Sequence, residues 1–330
     1  MDRTVSNALK RDWEMLSDEE KRVVGIEKFS EQWVNDLVDK GLPEFKDKFS
    51  QAASRGALRR KEIADSILQK WKSSHNALSI LVEYCAEVGE QAFTESTLDS
   101  LQYVLRRCHA KALMVTREIM LLLTNGYPDA AMARWRTLHE TNVISAFVKK
   151  YGEECATRYI HHEQIDRLKS LRAHRKCADE LNWQPVTDEV FEEQEKVQKE
   201  LVELYGSNFK QPYGWAAKFL NNPSPKFDSL AEHVGFGHWS TLVKTSSYSV
   251  HCSYTGLLGS SISPDLNEET WLVGQSDKGL FNPAQLTAIS FFQITIRTIL
   301  NEESVDKLPD LVALKRLLDE TIECLKIELE

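Results

Sequence analysis

The chain has 330 residues, 42% of them hydrophobic and 28% charged, which is ordinary for a globular protein in water. Its formal net charge of −9 excludes the overall basic character of a typical nucleic-acid-binding domain, although a local basic patch is compatible with it. The six cysteines are widely spaced and form no C-x-x-C pair, which argues against a zinc knuckle or a disulfide scaffold. We therefore expect reduced, packed thiols.

The sequence also predicts where the protein resides. The N-terminal stretch MDRTVSNALKRDWEML lacks the apolar segment of a secretory signal. The most apolar long stretch, ALMVTREIMLLL, is too short to span a bilayer and contains Arg117 and Glu118. We expect a cytoplasmic protein without a membrane partner.

Helical patterns dominate the first third of the chain. Ser17 opens an S-x-x-E capping box, and the helix after it is predicted to stop at Gly41. Residues 61–89 repeat apolar side chains every three or four positions, which predicts one amphipathic helix. Another helix is predicted from about Thr94 to Thr124, ended by Asn125-Gly126. The first 55 residues are more charged than the rest, so residues 1–55 are interpreted as an N-terminal helical appendage and 56–330 as the main domain.

The central part of the chain predicts two successive helices and a polar one. Pro128 suits the first turn of a helix that carries RWRTLHE and runs to about Lys150. After Gly152, a further helix is expected from Glu153 to about Leu181. The acidic segment TDEVFEEQEKVQKELVELYG is interpreted as a solvated outer helix.

The C-terminal third predicts short helices, one irregular region and two longer helices. The irregular region covers about 254–282, where WLV could add a short strand. Asn282-Pro283 predicts the start of an apolar helix, and a last helix is expected from about Leu308 to Leu329. The short helices are expected over Trp215–Leu220, Phe227–Val234 and from His238 to about His251. The predicted fold class is all-α, a bundle of long antiparallel helices.

The stretch RWRTLHE places charged residues in apolar surroundings. On a helical wheel, Arg136, His139 and Glu140 fall within one apolar band of roughly 140°, so they are expected to face the interior together. Arg136 and Glu140 are spaced i, i+4 and can meet directly. The group is either a structural Arg–Glu pair or the polar floor of a pocket. Arg134 lies about 140° from His139 and points elsewhere.

Two further polar groups lie downstream. In KTSSYSVHCSY, Ser247 and His251 share a helix face, which indicates either a satisfied core histidine or a second wall of that pocket. A serine nucleophile is not expected, because no G-x-S-x-G motif is present. In RYIHHEQID, Arg158, His162 and Asp166 share a face. The chain has neither E-x-x-H nor H-E-x-x-H, so no metal and no cofactor are predicted.

Four segments in fixed order resemble the bacterial helical family DUF5677. They are GYPDAAMARWRTLHE, GWAAKF, SLAEHVGF and SSYSVHCSY, and the resemblance covers about residues 98–256. The family pattern of R-x-x-x-E followed by S-x-x-x-H falls on Arg136 with Glu140 and on Ser247 with His251. The resemblance implies an all-α core but no established chemistry.

A second resemblance concerns Arg134 and His139. Their R-x(4)-H spacing is similar to the signature of HEPN-type helical ribonucleases, which are often dimeric and occur in toxin–antitoxin and phage-defence systems. The resemblance implies that the histidine transfers protons and that the arginine stabilises charge on the scissile phosphodiester.

Two functional hypotheses follow. The first is a HEPN-like, metal-independent endoribonuclease that acts on RNA as a toxin or phage-defence effector. The alternative is a non-catalytic helical sensor or interaction protein whose Arg/His/Glu/Ser pocket binds a small anionic ligand or is purely structural. Either protein is expected to be a homodimer, and its N-terminal helices, basic around residues 54–62, are candidates for a protein partner. The candidate site residues are Arg134, Arg136, His139, Glu140, Ser247 and His251.

Overall fold

The computed structural model describes residues 3–92, 99–248, 250–251, 254, 274–300 and 307–329. Helices form most of this part of the chain and no strand occurs in it, which confirms the predicted all-α class. Within the same residues, no helix combines the length and the apolar character that crossing a bilayer requires.

The chain divides into two compact units, residues 1–62 and residues 63–330. In the first unit, Ser17 caps the second helix as predicted: its hydroxyl accepts from the Glu20 amide at 3.3 Å, and the Glu20 carboxylate accepts from the Ser17 amide at 2.8 Å. The Trp33 indole donates to Asp12 at 2.8 Å. The helices are α1 (Arg3–Glu14), α2 (Asp18–Val24) and α3 (Ile26–Lys70), the last of which continues into the second unit.

Three predicted helix boundaries are wrong in this region. The helix expected from Ser17 to Gly41 is interrupted at Gly25, whose φ of 71° is not helical and which separates α2 from α3. The helix expected to stop at Gly41 runs on through Pro43 to Lys70, because Gly41 keeps a helical conformation and good helix formers flank it. The single helix expected over residues 61–89 is instead divided at Trp71, which separates α3 from α4 (Lys72–Gln91). The Trp71 side chain is fully buried, so tertiary packing sets this break.

The second unit contains a bundle of long helices around one apolar core. Asn125-Gly126 ends the second of these helices as predicted: Gly126 has a φ of 74°, and its amide donates to the Leu123 carbonyl at 3.0 Å. The helix expected from Thr94 begins at Ser100; residues 93–98 lie outside the described residues. The bundle helices are α4, α5 (Ser100–Thr124), α6 (Pro128–Cys177), α11 (Phe281–Ile299) and α12 (Leu308–Leu329). Helix α6 packs on α5 and α11, and α12 packs on α4 and α11.

A second apolar core lies along the C-terminal part of α6. The predicted interruption at Gly152 is confirmed as a kink, with φ 72° and ψ −153°, inside a helix that ends at Cys177. Helices α7 (Asp188–Tyr205), α8 (Ala217–Leu220) and α9 (Phe227–His233) pack on this core. Helix α10 (Ser240–Tyr248) instead packs on the first core through Leu242 and Val243. These helices match the predicted ones, although α10 stops at Tyr248, short of the predicted His251.

The C-terminal boundaries agree closely with expectation. Helix α11 begins at Phe281, one residue before the predicted cap at Asn282, and α12 spans the predicted residues. Of the irregular region, residues 274–280 are irregular as expected. The WLV segment lies outside the described residues.

Candidate functional site

His139 is the most enclosed of the predicted site residues. Only 1% of its surface is exposed, and its ring stacks on Trp135 and Trp239 at centroid distances of 5.2 and 5.5 Å. The Phe227 and Phe236 rings lie about its edges. Burial, with a smaller contribution from His238, lowers the pKa of His139 to about 4. The imidazole is therefore neutral at physiological pH.

A small cavity adjoins His139. Its volume is about 100 Å³, which is room for a few water molecules or one small molecule. The charged side chains along its wall are Asp228, Glu232 and Lys244, so the lining has a net charge of about −1 at neutral pH. The Nδ1 atom of His139 is buried and has no hydrogen-bond partner in the described structure. Because the charged lining is negative overall, this cavity does not favour an anionic ligand.

Arg136 and Glu140 contact one another but are not deeply buried. The Arg136 Nε atom lies 3.4 Å from Glu140 Oε1, and the two side chains are 31% and 38% exposed. The geometry is that of an ion pair without a well-aligned hydrogen bond, because Arg136 Nε has no hydrogen-bond partner. Such a pair contributes about 1 kcal/mol or less to stability. Of the three residues expected to face inward together, only His139 is enclosed.

Arg134 faces α5 and not His139. Its guanidinium forms an ion pair with Glu118, and one of its Nη atoms donates to the Thr137 hydroxyl at 3.3 Å. The structure therefore does not bring the two residues of the R-x(4)-H signature together. Arg134 links α6 to α5.

Ser247 and His251 are not seen in the cavity beside His139. The Ser247 hydroxyl donates to the Val243 carbonyl within the same helix at 2.8 Å. The His251 side chain is exposed, and the His251 amide donates to the Ser247 carbonyl at 2.9 Å. Helix α10 contributes Ser240, Val243 and Lys244 to the cavity wall in their place.

An open cleft of about 780 Å³ lies beside Arg158, on the part of α6 that follows the Gly152 kink. Arg158 is only 5% exposed, yet it has no carboxylate partner among the described residues. Its Nε donates to the Trp215 carbonyl at 3.1 Å, and its guanidinium lies over the rings of Tyr205 and Phe209, at 4.4 and 5.4 Å from their centroids. Burial lowers the pKa of Arg158, but the side chain stays charged at neutral pH.

The rim of this cleft carries polar side chains from several segments. Lys218 Nζ lies 2.5 Å from the Glu154 carboxylate. The neighbouring histidines of α6 bind separate partners: His161 Nδ1 lies 2.8 Å from the Tyr205 hydroxyl, and His162 Nε2 lies 2.8 Å from the Gln211 carbonyl. The amide side chains of the lining are Asn208, Asn221 and Asn222.

Arg158 shares a helix face with His162 and Asp166 in the sequence, but it is not among the predicted site residues. The available signal was an arginine on the apolar face of a helix, one turn from His162. In the sequence, Glu154 at position i−4 looks like the ion-pair partner of Arg158. Only the tertiary structure shows that Glu154 pairs with Lys218 instead.

No curated protein and no solved structure matches the chain. The model of DUF5677, a family of unknown function, matches residues 102–270, just over half of the chain. That range contains both the RWRTLHE segment and the Arg158 cleft. The resemblance noted in the sequence is thus confirmed, and the chain belongs to the DUF5677 family.

Proposed function

We propose that this protein is a non-catalytic helical sensor or interaction protein, in which Arg134 and His139 of RWRTLHE join α6 to neighbouring segments. The observation that carries the proposal is the enclosure of His139. A general acid or base must reach the proton that it transfers, and its pKa should lie near the working pH. A neutral imidazole between two indoles, with a pKa of about 4, meets neither requirement.

The arginines support the same conclusion. A ribonuclease of the HEPN type requires an arginine and a histidine that converge on one phosphodiester. Arg134 is engaged with Glu118 on α5, and Arg136 contacts Glu140. The ribonuclease hypothesis, which uses Arg134 or Arg136, would therefore need one of these ion pairs to open and His139 to leave its stack.

The interaction part of the proposal rests on α3. Val38, Phe45 and Phe49 are about half exposed and share one face of this helix with Leu42. The charges between residues 27 and 39 are mainly acidic, and those between 46 and 61 are mainly basic. An antiparallel second copy would place acidic against basic halves and cover the apolar face, so the proposed partner is a second copy of this chain.

Light scattering on the purified protein over a range of concentrations tests this dimer. The wild type is expected to be dimeric, and the double variant Phe45→Glu/Phe49→Glu is expected to be monomeric. Leu58→Glu is the control, because residue 58 lies about half a turn away from residue 49 on the helix. A monomeric wild type, or dissociation by Leu58→Glu alone, would overturn the dimer.

Expression in a bacterial host tests the non-catalytic proposal. Cells that express the wild type, Arg134→Ala or His139→Phe are compared for growth and for the integrity of total RNA. We expect intact RNA in all three cultures. RNA cleavage by the wild type that both variants abolish, at unchanged protein level, would establish the ribonuclease hypothesis instead.

A further inference from the structure

We propose that the cleft beside Arg158 binds the oxyanion group, a carboxylate or a phosphate monoester, of a small molecule. This inference goes beyond the proposed function, because it gives a sensor a ligand class and a site. It places the anion away from the Arg/His/Glu/Ser cluster of the sequence interpretation.

Arg158 is built as an anion receptor. Removing a guanidinium from water is costly unless an opposite charge or hydrogen bonds compensate for it. The protein supplies one hydrogen bond, from Nε to the Trp215 carbonyl. The two Nη groups make no hydrogen bond or ion pair with the residues that the structure describes, and the side chain lines the cleft. Their paired N–H groups match the two oxygens of a carboxylate or phosphate.

The guanidinium is also held in one orientation. The aromatic rings of Tyr205 and Phe209 both contact it, and the Tyr205 hydroxyl is itself fixed by His161. Gly214 brings the backbone close: a Cβ at this position would lie 2.4 Å from the carbonyl oxygens of Asn208 and Phe209. A receptor fixed before binding loses less conformational entropy when its ligand arrives.

The charges and dimensions of the cleft indicate the rest of the ligand. Arg158 and Lys218 contribute two positive charges and Glu154 one negative charge, so the charged lining favours a single anionic group. Three asparagine side chains offer donors and acceptors for hydroxyl or amide groups. The volume falls within the range of small-molecule sites. The described lining lacks the row of cations and the exposed aromatic platforms that bind single-stranded RNA.

Isothermal titration of the full chain tests the site. The probes are inorganic phosphate, glycerol 3-phosphate and succinate, each at ionic strength matched with sodium chloride. Phosphate and glycerol 3-phosphate binding without succinate binding would assign a phosphate ligand, and the reverse would assign a carboxylate. Arg158→Gln is expected to weaken binding about tenfold or more, since it removes a charge-assisted pair of hydrogen bonds. Arg167→Gln, an exposed arginine of the same helix, is the control.

A second variant keeps the test decisive if Arg158→Gln does not fold. Glu154→Gln removes the negative charge of the cleft and releases Lys218, so it is expected to tighten binding about twofold or more. Glu163→Gln, on the exposed side of the same helix, is expected to change nothing. A wild type that binds none of the three probes, or a Glu154→Gln variant with unchanged or weaker binding, would overturn the site.

A further control uses a short single-stranded RNA. If it binds in the same cleft more tightly than glycerol 3-phosphate, the assignment to a small molecule is wrong. The result of these binding experiments is independent of the expression test of the proposed function. RNA cleavage in cells would overturn the non-catalytic role and leave the anion site standing, whereas a failure of all three probes would remove the site alone.

Discussion

The imidazole of His139 and the indole of Trp239 are nearly parallel, with 14° between their planes and 5.5 Å between their centroids. Trp135 covers the ring as well, at an angle of 29°. His139 therefore packs as a buried aromatic ring. We expect its contribution to the free energy of unfolding to come from this packing and not from its polar nitrogens.

Substitution of His139 should separate packing from chemistry. His139→Ala removes a buried ring and is expected to lower the free energy of unfolding by about 3 kcal/mol or more. His139→Phe keeps the ring and removes a buried nitrogen that lacks a partner, so it should change stability by about 1 kcal/mol or less. Chemical denaturation measures both. A large loss with phenylalanine would show that the polar nitrogens of His139 are needed.

The buried histidines predict how stability depends on pH. Burial lowers the pKa of His139 and of His109 to about 4, below the value of about 6.5 in an unfolded chain. Between these values the unfolded state binds more protons, so stability rises with pH over this window and is lost as the pH falls from 6.5 towards 4. Each of these two histidines is expected to lower the free energy of unfolding by about 3 kcal/mol as the pH falls through this window.

Denaturation midpoints between pH 4 and pH 8 measure this effect. His139→Phe should reduce the slope below pH 6.5, because the proton that His139 takes up on unfolding is lost in the variant. An unchanged slope in the variant would mean that His139 is not buried in neutral form.

Arg136 and Glu140 predict a small coupling energy. A deeply buried pair would lose about 3–5 kcal/mol when one partner is truncated. Because both side chains are partly exposed, a double-mutant cycle with Arg136→Ala and Glu140→Ala should give about 1 kcal/mol or less. A coupling of several kcal/mol would restore the interpretation of RWRTLHE as a buried ion pair.

Gly89 allows α4 to approach His109. A Cβ at residue 89 would lie 2.1 Å from the Cε1 atom of the buried His109 ring, which also contacts Thr295 through Nε2 at 3.2 Å. Gly89→Ala should therefore lower the free energy of unfolding by about 1–3 kcal/mol or more. Gly41→Ala, where the new methyl group meets nothing within 4 Å, should be neutral or slightly stabilising. Equal effects of the two variants in thermal unfolding would contradict this explanation.

Local signals predicted much of the fold. The capping box at Ser17 and the Asn125-Gly126 stop are local, so a single sequence reveals them. The break at Trp71 depends on tertiary packing, which periodicity does not report. Helix α3 continues through Gly41 and Pro43 on an exposed stretch, so there the glycine stop signal was outweighed by the local helix propensity of its neighbours.

The candidate site could likewise be predicted only where its geometry is set within one helix. The helical wheel gave the direction of Arg134 relative to His139, because that relation lies within one helix. The wheel cannot predict which residues of other segments pack on each side chain. Trp239 reaches His139 from a segment about a hundred positions away, and Glu118 reaches Arg134 from α5. Arg158 could not be identified as a candidate ligand-binding residue from the sequence, because the Trp215 carbonyl and the two aromatic rings around it come from other segments.

The measurement that tests the central claim most directly is the titration of the His139 imidazole by NMR, with histidine-labelled protein and the His139→Phe variant for assignment. The structure predicts that His139 stays neutral from pH 8 down to about pH 5, with a midpoint near its pKa of about 4. A midpoint near 6.5 would show an accessible imidazole, able to exchange protons at physiological pH, and would contradict the non-catalytic role.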